Sequence, residues 1–234
     1  TILARRKITK VFQIYTKGGI MTDIELLKNS LKSAMAVYQN VLDNETDCIT
    51  HIATKLGDIL EAGGTIYLCG NGGSAADAQH IAAEFVGRFL RERKALPAQA
   101  LTVNTSILTA IGNDYDFSQI FSRQVKAMVT AKDALVGIST SGKSVNVLEA
   151  IKEAKNIGAL TVAFTGLPGE PLATACDLAF KAPTKETPRI QEVHIAAWHG
   201  ICDIIERRVH EQETGNFSGQ RRGDHRGSQL PLAS

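Results

Sequence analysis

The chain has 234 residues, a hydrophobic fraction of 44% and a formal net charge of +2. That length supports one domain with a real core, and the near-neutral balance gives no electrostatic case for nucleic acid or a membrane surface as partner. No run approaches the roughly 20 apolar residues that span a bilayer. Four cysteines without CxxC spacing (Cys48, Cys69, Cys176, Cys202) fit reduced thiols in a cytoplasm better than a disulfide framework.

Residues 1–20 carry five basic residues and no acid. This predicts a flexible N-terminal extension, and its composition also suits a transit peptide. The structured chain is expected to begin near Met21. Thr22 and Glu25 have capping-box spacing ahead of an amphipathic helix over 22 to about 40. A second helix is expected over 45–61. Short apolar runs follow at 65–69, 98–103, 134–139 and 159–165, with a fifth at 177–182. Helical stretches separate them: DAQHIAAEFVGRF, segments around Ser106 and Phe117, and NVLEAIKEAKNI with Gly158 as its stop signal. The last helix starts after Pro188 and runs through RIQEVHIAAWHGICDIIERRV. Residues 211–234, rich in Gly, Ser, Gln and Arg, read as a disordered tail. Apolar strands alternating with helices predict an α/β domain over 21–210, a parallel sheet covered on both faces, with N-terminal helices over 22–61. Such sheets bind ligands at the carboxyl ends of their strands.

Two glycine loops fall at those ends. GISTSGKS (137–144) matches the triphosphate P-loop pattern, and CGNGGSAAD (69–77) matches the dinucleotide fingerprint G-x-G-x-x-A. Neither pattern has its supporting context. Gly137 falls inside an apolar run rather than after it, and no strand ends in an Asp suited to Mg²⁺. The second strand ends in TVNTS, with no acid for a ribose. What GISTSGKS does offer is Ser139, Thr140, Ser141 and Ser144 at the start of a helix, where hydroxyls and backbone N–H groups suit a phosphate monoester. Ordinary N-capping would account for one or two of the four. In the upstream loop, Gly70, Gly72 and Gly73 allow close backbone approach to a polar ligand.

Ionisable groups then gather on helices. His80 and Glu84 are spaced i, i+4 and share a face, while Gln191, His194 and His199 lie on the last helix. Such groups can serve acid–base chemistry or a Zn²⁺ site, or simply be surface and core polar residues. Gln191 and His199 are about 12 Å apart along an ideal helix, so a shared metal needs both side chains to reach inward. Asn113 and Asp114 follow Gly112 in a segment that also suits an ordinary turn.

Taken together, CGNGGSAADAQHIAAEFVGRF, LTAIGNDYDFSQIFSRQV, GISTSGKSVNVLEAI and RIQEVHIAAWHG resemble the phosphoheptose isomerases, sugar isomerase (SIS) domain proteins that act on sedoheptulose 7-phosphate. The resemblance spans about 21 to 209. It implies a three-layer SIS fold with a five-stranded parallel sheet. It also implies that Ser139, Thr140, Ser141 and Ser144 hold the phosphate, while Asn71, Gly72, Gly73, Ser74, Asn113 and Asp114 contact the sugar. The family's zinc ligands fall on His80, Glu84, Gln191 and His199, with Glu84, Gln191 also against the substrate. Glu84 would act as base and His199 as acid in an enediol isomerisation. A homotetramer with active sites at subunit interfaces is implied, with the N-terminal helices as candidates for packing against a partner. Lys143 stands where relatives often carry Asn, and Pro188 where some carry an acid. The rival expectations are a non-catalytic SIS module that senses sugar phosphate, or a scaffold that binds a replication initiator.

Overall fold

The structure is a computed structural model and describes residues 15–16 and 19–220. Most of the expected extension, with its transit-peptide reading, and the last part of the expected tail lie outside the described residues. Tyr15–Thr16 (β1) and Gly19–Ile20 (β2) pair antiparallel. Then come α1 (Asp23–Asn44), α2 (Thr46–Glu61), β3 (Ile66–Gly70), α3 (Gly73–Val86), β4 (Ala98–Ala100) and α4 (Thr105–Asp114). A 3-10 turn (Phe117–Gln119) leads to α5 (Ser122–Met128), β5 (Ala134–Ile138), α6 (Val145–Ile157), β6 (Leu160–Thr165), α7 (Leu172–Ala175), β7 (Leu178–Lys181) and α8 (Thr187–Gln220).

The five strands β3 to β7 form one parallel sheet in the order β4-β3-β5-β6-β7. The expected α/β class and five-stranded parallel sheet are therefore present. Alternate strand residues serve opposite faces. Ile66, Leu68, Val136, Val162 and Phe164 pack with Leu56, Ile81, Phe85, Trp198 and Ile201 from α2, α3 and α8. Tyr67, Cys69, Leu135 and Ala163 pack with Val125, Val147, Ile151 and Leu172 from α5, α6 and α7. Gly137 is needed for the second face, because a Cβ there would lie 2.8 Å from Val147 Cγ1.

The boundaries differ from expectation in four places. β4 stops at Ala100, and 101–103 turn away, since Leu101 N–H still donates to Leu68 O but the chain must reach the Asn104 cap of α4. Phe117 sits in a 3-10 turn capped by Asp116 rather than in an α-helix. The last helix continues beyond 210 through Gln220. Side chains tie its extension to the body, with Gln212 donating to Glu61 Oε1 (3.0 Å) and Lys94 N–H to Glu213 Oε1 (3.4 Å). The Thr22–Glu25 capping box forms as expected, and α1 runs four residues longer than the pattern indicated. No helix among the described residues is long and apolar enough to cross a membrane.

Helix α8 is seated by aromatic contacts. Trp198 stacks on Phe164 at 4.5 Å, and His194 meets Phe164 edge-on at 5.5 Å. His194 is fully buried. Its Nε2–H donates to Thr165 O (3.0 Å) and its Nδ1 has no partner. Burial pushes its pKa down to about 4 from the ordinary 6.5. The unfolded chain therefore takes up this proton as pH falls below 6.5, while the folded chain resists until near 4. Stability is full above pH 6.5 and declines as pH falls towards 4. Urea midpoints measured from pH 7 to 4 are expected to fall, and His194→Gln to make that decline shallower.

Candidate active site

Strands β3 and β5 are neighbours, and the sheet reverses its order between them, so a crevice opens outside their carboxyl ends. Both glycine loops lie there. The first, Asn71–Gly72, leads from β3 into α3. Gly72 is its cap with φ +57° and ψ −122°, a conformation suited to glycine. Ser74 is buried in the first turn. The second loop, 139–144, leads from β5 into α6. Gly142 has φ +69°, and a Cβ there would lie 2.1 Å from Gly169 O.

The two loops are joined by a pair of amides. Asn71 Nδ2–H donates to Asn146 Oδ1 and Asn146 Nδ2–H donates to Asn71 Oδ1, each at 2.9 Å. Asn146 was not apparent from the sequence; the available signal was a polar residue on the otherwise apolar first turn of α6.

Within the second loop, the Ser139 and Ser144 hydroxyls lie 2.9 Å apart, and Ser141 Oγ accepts from Lys143 N–H (3.2 Å). Ser144 caps α6 by position, yet its hydroxyl bonds no helix N–H; of the first-turn amides, Val147 N–H donates to Ser144 O (3.1 Å) and Asn146 Oδ1 (3.0 Å). Thr140, Ser141 and Lys143 line a cleft of 230 Å³, together with Leu167, Pro168 and Lys185. Lys185 was also missed, lying more than 40 residues downstream. Neither lysine forms an ion pair among the described residues, whereas Lys126, Lys155 and Lys181 do. Gly137 lies inside β5 and Ile138 is fully buried, so GISTSGKS does not wrap a triphosphate as a P-loop does.

Helix α3 starts at the first loop and carries His80 and Glu84 beside α8. His80 Nε2 lies 3.3 Å from Glu84 Oε1 and 3.0 Å from His199 Nε2. One imidazole donates its N–H and the other accepts. A single proton on His80 Nε2 cannot serve both neighbours at once. Phe89, in the loop after α3, stacks on His199 at 5.4 Å. Gln191, one and a half turns into α8, rests against the start of α3: a Cβ at Gly73 would lie 2.3 Å from its Nε2. Asn113 and Asp114 are exposed at the end of α4. Asn113 Nδ2–H donates to Asp114 Oδ1 (2.8 Å), and no hydrogen bond among the described residues ties either to the loops.

Two further groups border the cluster. Asp77, one turn before His80, has an oxygen buried without a partner, and burial raises its pKa. Cys202 is buried, which pushes its thiol up to about 12 and removes it as a nucleophile.

Among the described residues, no group of three or more His, Cys, Asp or Glu is arranged as a ready metal site. The donor types of His80, Glu84, Gln191 and His199 nevertheless suit zinc. Tetrahedral nitrogen ligands about 2.0–2.1 Å from zinc are about 3.3 Å apart. The His80–His199 contact would open by only tenths of an ångström to admit an ion.

Sequence and structure comparisons place this arrangement. The SIS domain family profile matches residues 31–166. The chain is 48% identical over 184 residues to the phosphoheptose isomerase of Roseiflexus sp., covering 79% of this chain and 93% of that protein. It is 52% identical over 163 residues to the phosphoheptose isomerase of Rhodospirillum rubrum, covering 68% and 87%. The structure of phosphoheptose isomerase GmhA from Neisseria gonorrhoeae superposes with a TM-score of 0.75 at 42% identity, covering 79% of this chain and 99% of that one. The sheet with hydroxyl and glycine loops at its switch point is that of a sugar-phosphate-binding SIS domain. Within that class, the chain belongs to the phosphoheptose isomerase family.

Three variants test the geometry. Gly73→Ala displaces the Gln191 amide and is expected to fold normally but lose about tenfold or more in turnover, since small misplacements are costly; circular dichroism and steady-state kinetics check both halves. Lys143→Gln or Lys185→Gln is expected to raise the sugar-phosphate KM about two- to fivefold at low ionic strength. That effect should shrink in high salt.

Proposed function

We infer that the protein is a phosphoheptose isomerase, interconverting sedoheptulose 7-phosphate and D-glycero-D-manno-heptose 7-phosphate for the heptose precursors of bacterial cell surfaces. One observation carries this reading: the helix that starts at the sugar loop also carries Glu84, and His80 joins Glu84 to His199 on a second helix. A phosphate cradle alone would serve a sensor. A carboxylate and an imidazole held beside it serve proton transfer.

Ser139, Thr140, Ser141 and Ser144 hold the phosphate, helped by the N-terminus of α6 and the two cleft lysines. Asn71, Gly72, Gly73, Ser74, Gln191, Asn113 and Asp114 contact the sugar. With the ketose bound, Glu84 takes a proton from C1 while His199 donates one to the oxygen at C2, giving the enediol. Glu84 then returns its proton to C2 and His199 accepts the proton of the C1 oxygen. The carbonyl now stands at C1, and both residues are restored.

His80, Glu84, Gln191 and His199 are also the residues that would hold zinc. When bound there, zinc would polarise the substrate carbonyl as a Lewis acid. A Glu84 that ligates the ion is a weaker base, so its two roles compete. The reading further includes a homotetramer. It is supported by α1, which buries none of its own residues and exposes a stripe of Ile24, Leu27, Leu31, Met35, Tyr38 and Leu42. A cytoplasmic location is supported by the four free cysteines. No nucleic-acid or membrane partner belongs to it.

The test is turnover of sedoheptulose 7-phosphate followed by NMR, with chelator and with zinc restored. Activity lost on chelation and regained with zinc supports isomerase and metal together; activity indifferent to chelation leaves Glu84 and His199 as simple base and acid. Folded protein that binds the sugar phosphate without turnover would overturn the enzyme in favour of a binding module. Glu84→Gln is expected to fold and to lose about 10²- to 10⁴-fold in kcat. Near-wild-type turnover would remove Glu84 as the base.

A further inference from the structure

Behind the acid–base cluster lies a buried ion pair that proton transfer does not use. Arg93 and Glu206 have side chains 1% exposed, with Arg93 Nε 3.3 Å from Glu206 Oε1. Buried charges of this kind need full hydrogen-bonding to be tolerated. Here each partner grips backbone. Arg93 donates to the carbonyls of Glu84 (2.8 Å), Phe85 (2.9 Å) and Gly87 (3.2 Å), the C-terminal turn of α3. Glu206 accepts from the N–H groups of Phe89 (2.8 Å), Leu90 (2.7 Å) and Arg91 (2.8 Å). These bonds hold the Glu206 carboxyl below its ordinary pKa although burial opposes them.

Glu206 lies seven residues after His199 on α8, so the two share a helix face. The pair thus connects the helix carrying Glu84 to the helix carrying His199. The loop it fixes presents Phe89 to the His199 ring. Arg91 adds a pairing with Asp203 on the same face of α8.

We propose that Arg93 and Glu206 are positioning residues that set the separation of Glu84 from His199 and, through Phe89, the plane of the His199 imidazole. The inference rests on the reading of Glu84 and His199 as base and acid. A simple stability role would predict less folded protein with unchanged kcat per folded molecule. Positioning predicts a folded enzyme with low kcat and an intact KM, because the phosphate and sugar loops stand on other contacts.

Three variants of the full chain decide. Glu206→Gln keeps shape but removes the charge and much of the N–H acceptance. It is expected to lower kcat about 10- to 100-fold, with KM within about twofold. Phe89→Leu leaves the ion pair intact, is safe for folding at a half-buried site, and is expected to lower kcat in the same direction. Phe89→Tyr, which keeps the ring, should restore it. NMR of the imidazole C–H groups gives a readout independent of turnover. In Glu206→Gln and Phe89→Leu the His199 signal should move downfield as it leaves the face of the ring, while His51 is unmoved. If the wild-type enzyme itself is inactive, the isomerase reading fails and the NMR shift still decides the positioning. Wild-type kcat in folded Glu206→Gln and in Phe89→Leu, or an unmoved His199 signal in both, would overturn the proposal. Should Glu206→Gln fail to fold, the Phe89 pair decides alone.

Discussion

The parallel pairing of β3 with β5, from Ile66 opposite Ala134 to Gly70 opposite Ile138, is the constraint on which the site depends. These strands end level with each other, and their connections leave towards opposite faces of the sheet. Two loops that are more than 60 residues apart in sequence therefore open side by side. The Asn71–Asn146 amide pair converts that proximity into fixed geometry, each amide donating to and accepting from the other. A pair of this kind is costly to half-satisfy in a buried setting, which favours both residues remaining together.

The division of labour follows from what each element can hold still. Loops after strands present backbone N–H groups and short hydroxyls, which suit a phosphate that must be bound rather than transformed. Proton transfer needs groups held within tenths of an ångström, and the ionisable groups His80, Glu84 and His199 stand on two packed helices. His80 touches both Glu84 and His199, so the carboxylate and the second imidazole are spaced by a third side chain rather than by solvent. The core on this face, from Phe85 through Trp198 to Phe164, keeps α8 against the sheet beneath them.

Much of this was legible in the chain. Apolar runs at 65–69 and 134–139 correspond to β3 and β5, because strands buried on both faces carry little but apolar residues. The i, i+4 spacing of His80 and Glu84 required nothing beyond helical geometry. The four hydroxyls from Ser139 to Ser144 were legible as a cluster at the start of α6, and Ser139 and Ser144 do meet there. The short β4, the 3-10 turn at Phe117 and the length of α8 were not legible, since each depends on what the chain meets in space rather than on its own periodicity.

The sequence by itself determined the alternation of strands and helices, the glycine and hydroxyl loops at strand ends, and the residue types available for chemistry. Local periodicity and side-chain chemistry suffice for those. Tertiary structure alone decided that His199 meets His80, that Asn146 meets Asn71, that Lys185 joins Lys143 at the cleft, and that Arg93 meets Glu206. Each of these pairs joins residues far apart in the chain, and only packing of helices across a common sheet brings them within hydrogen-bonding or electrostatic reach. Asn113 and Asp114 show the converse. Their place in a shared motif drew attention to them, but within one chain the fold leaves them exposed at the end of α4, bonded to each other.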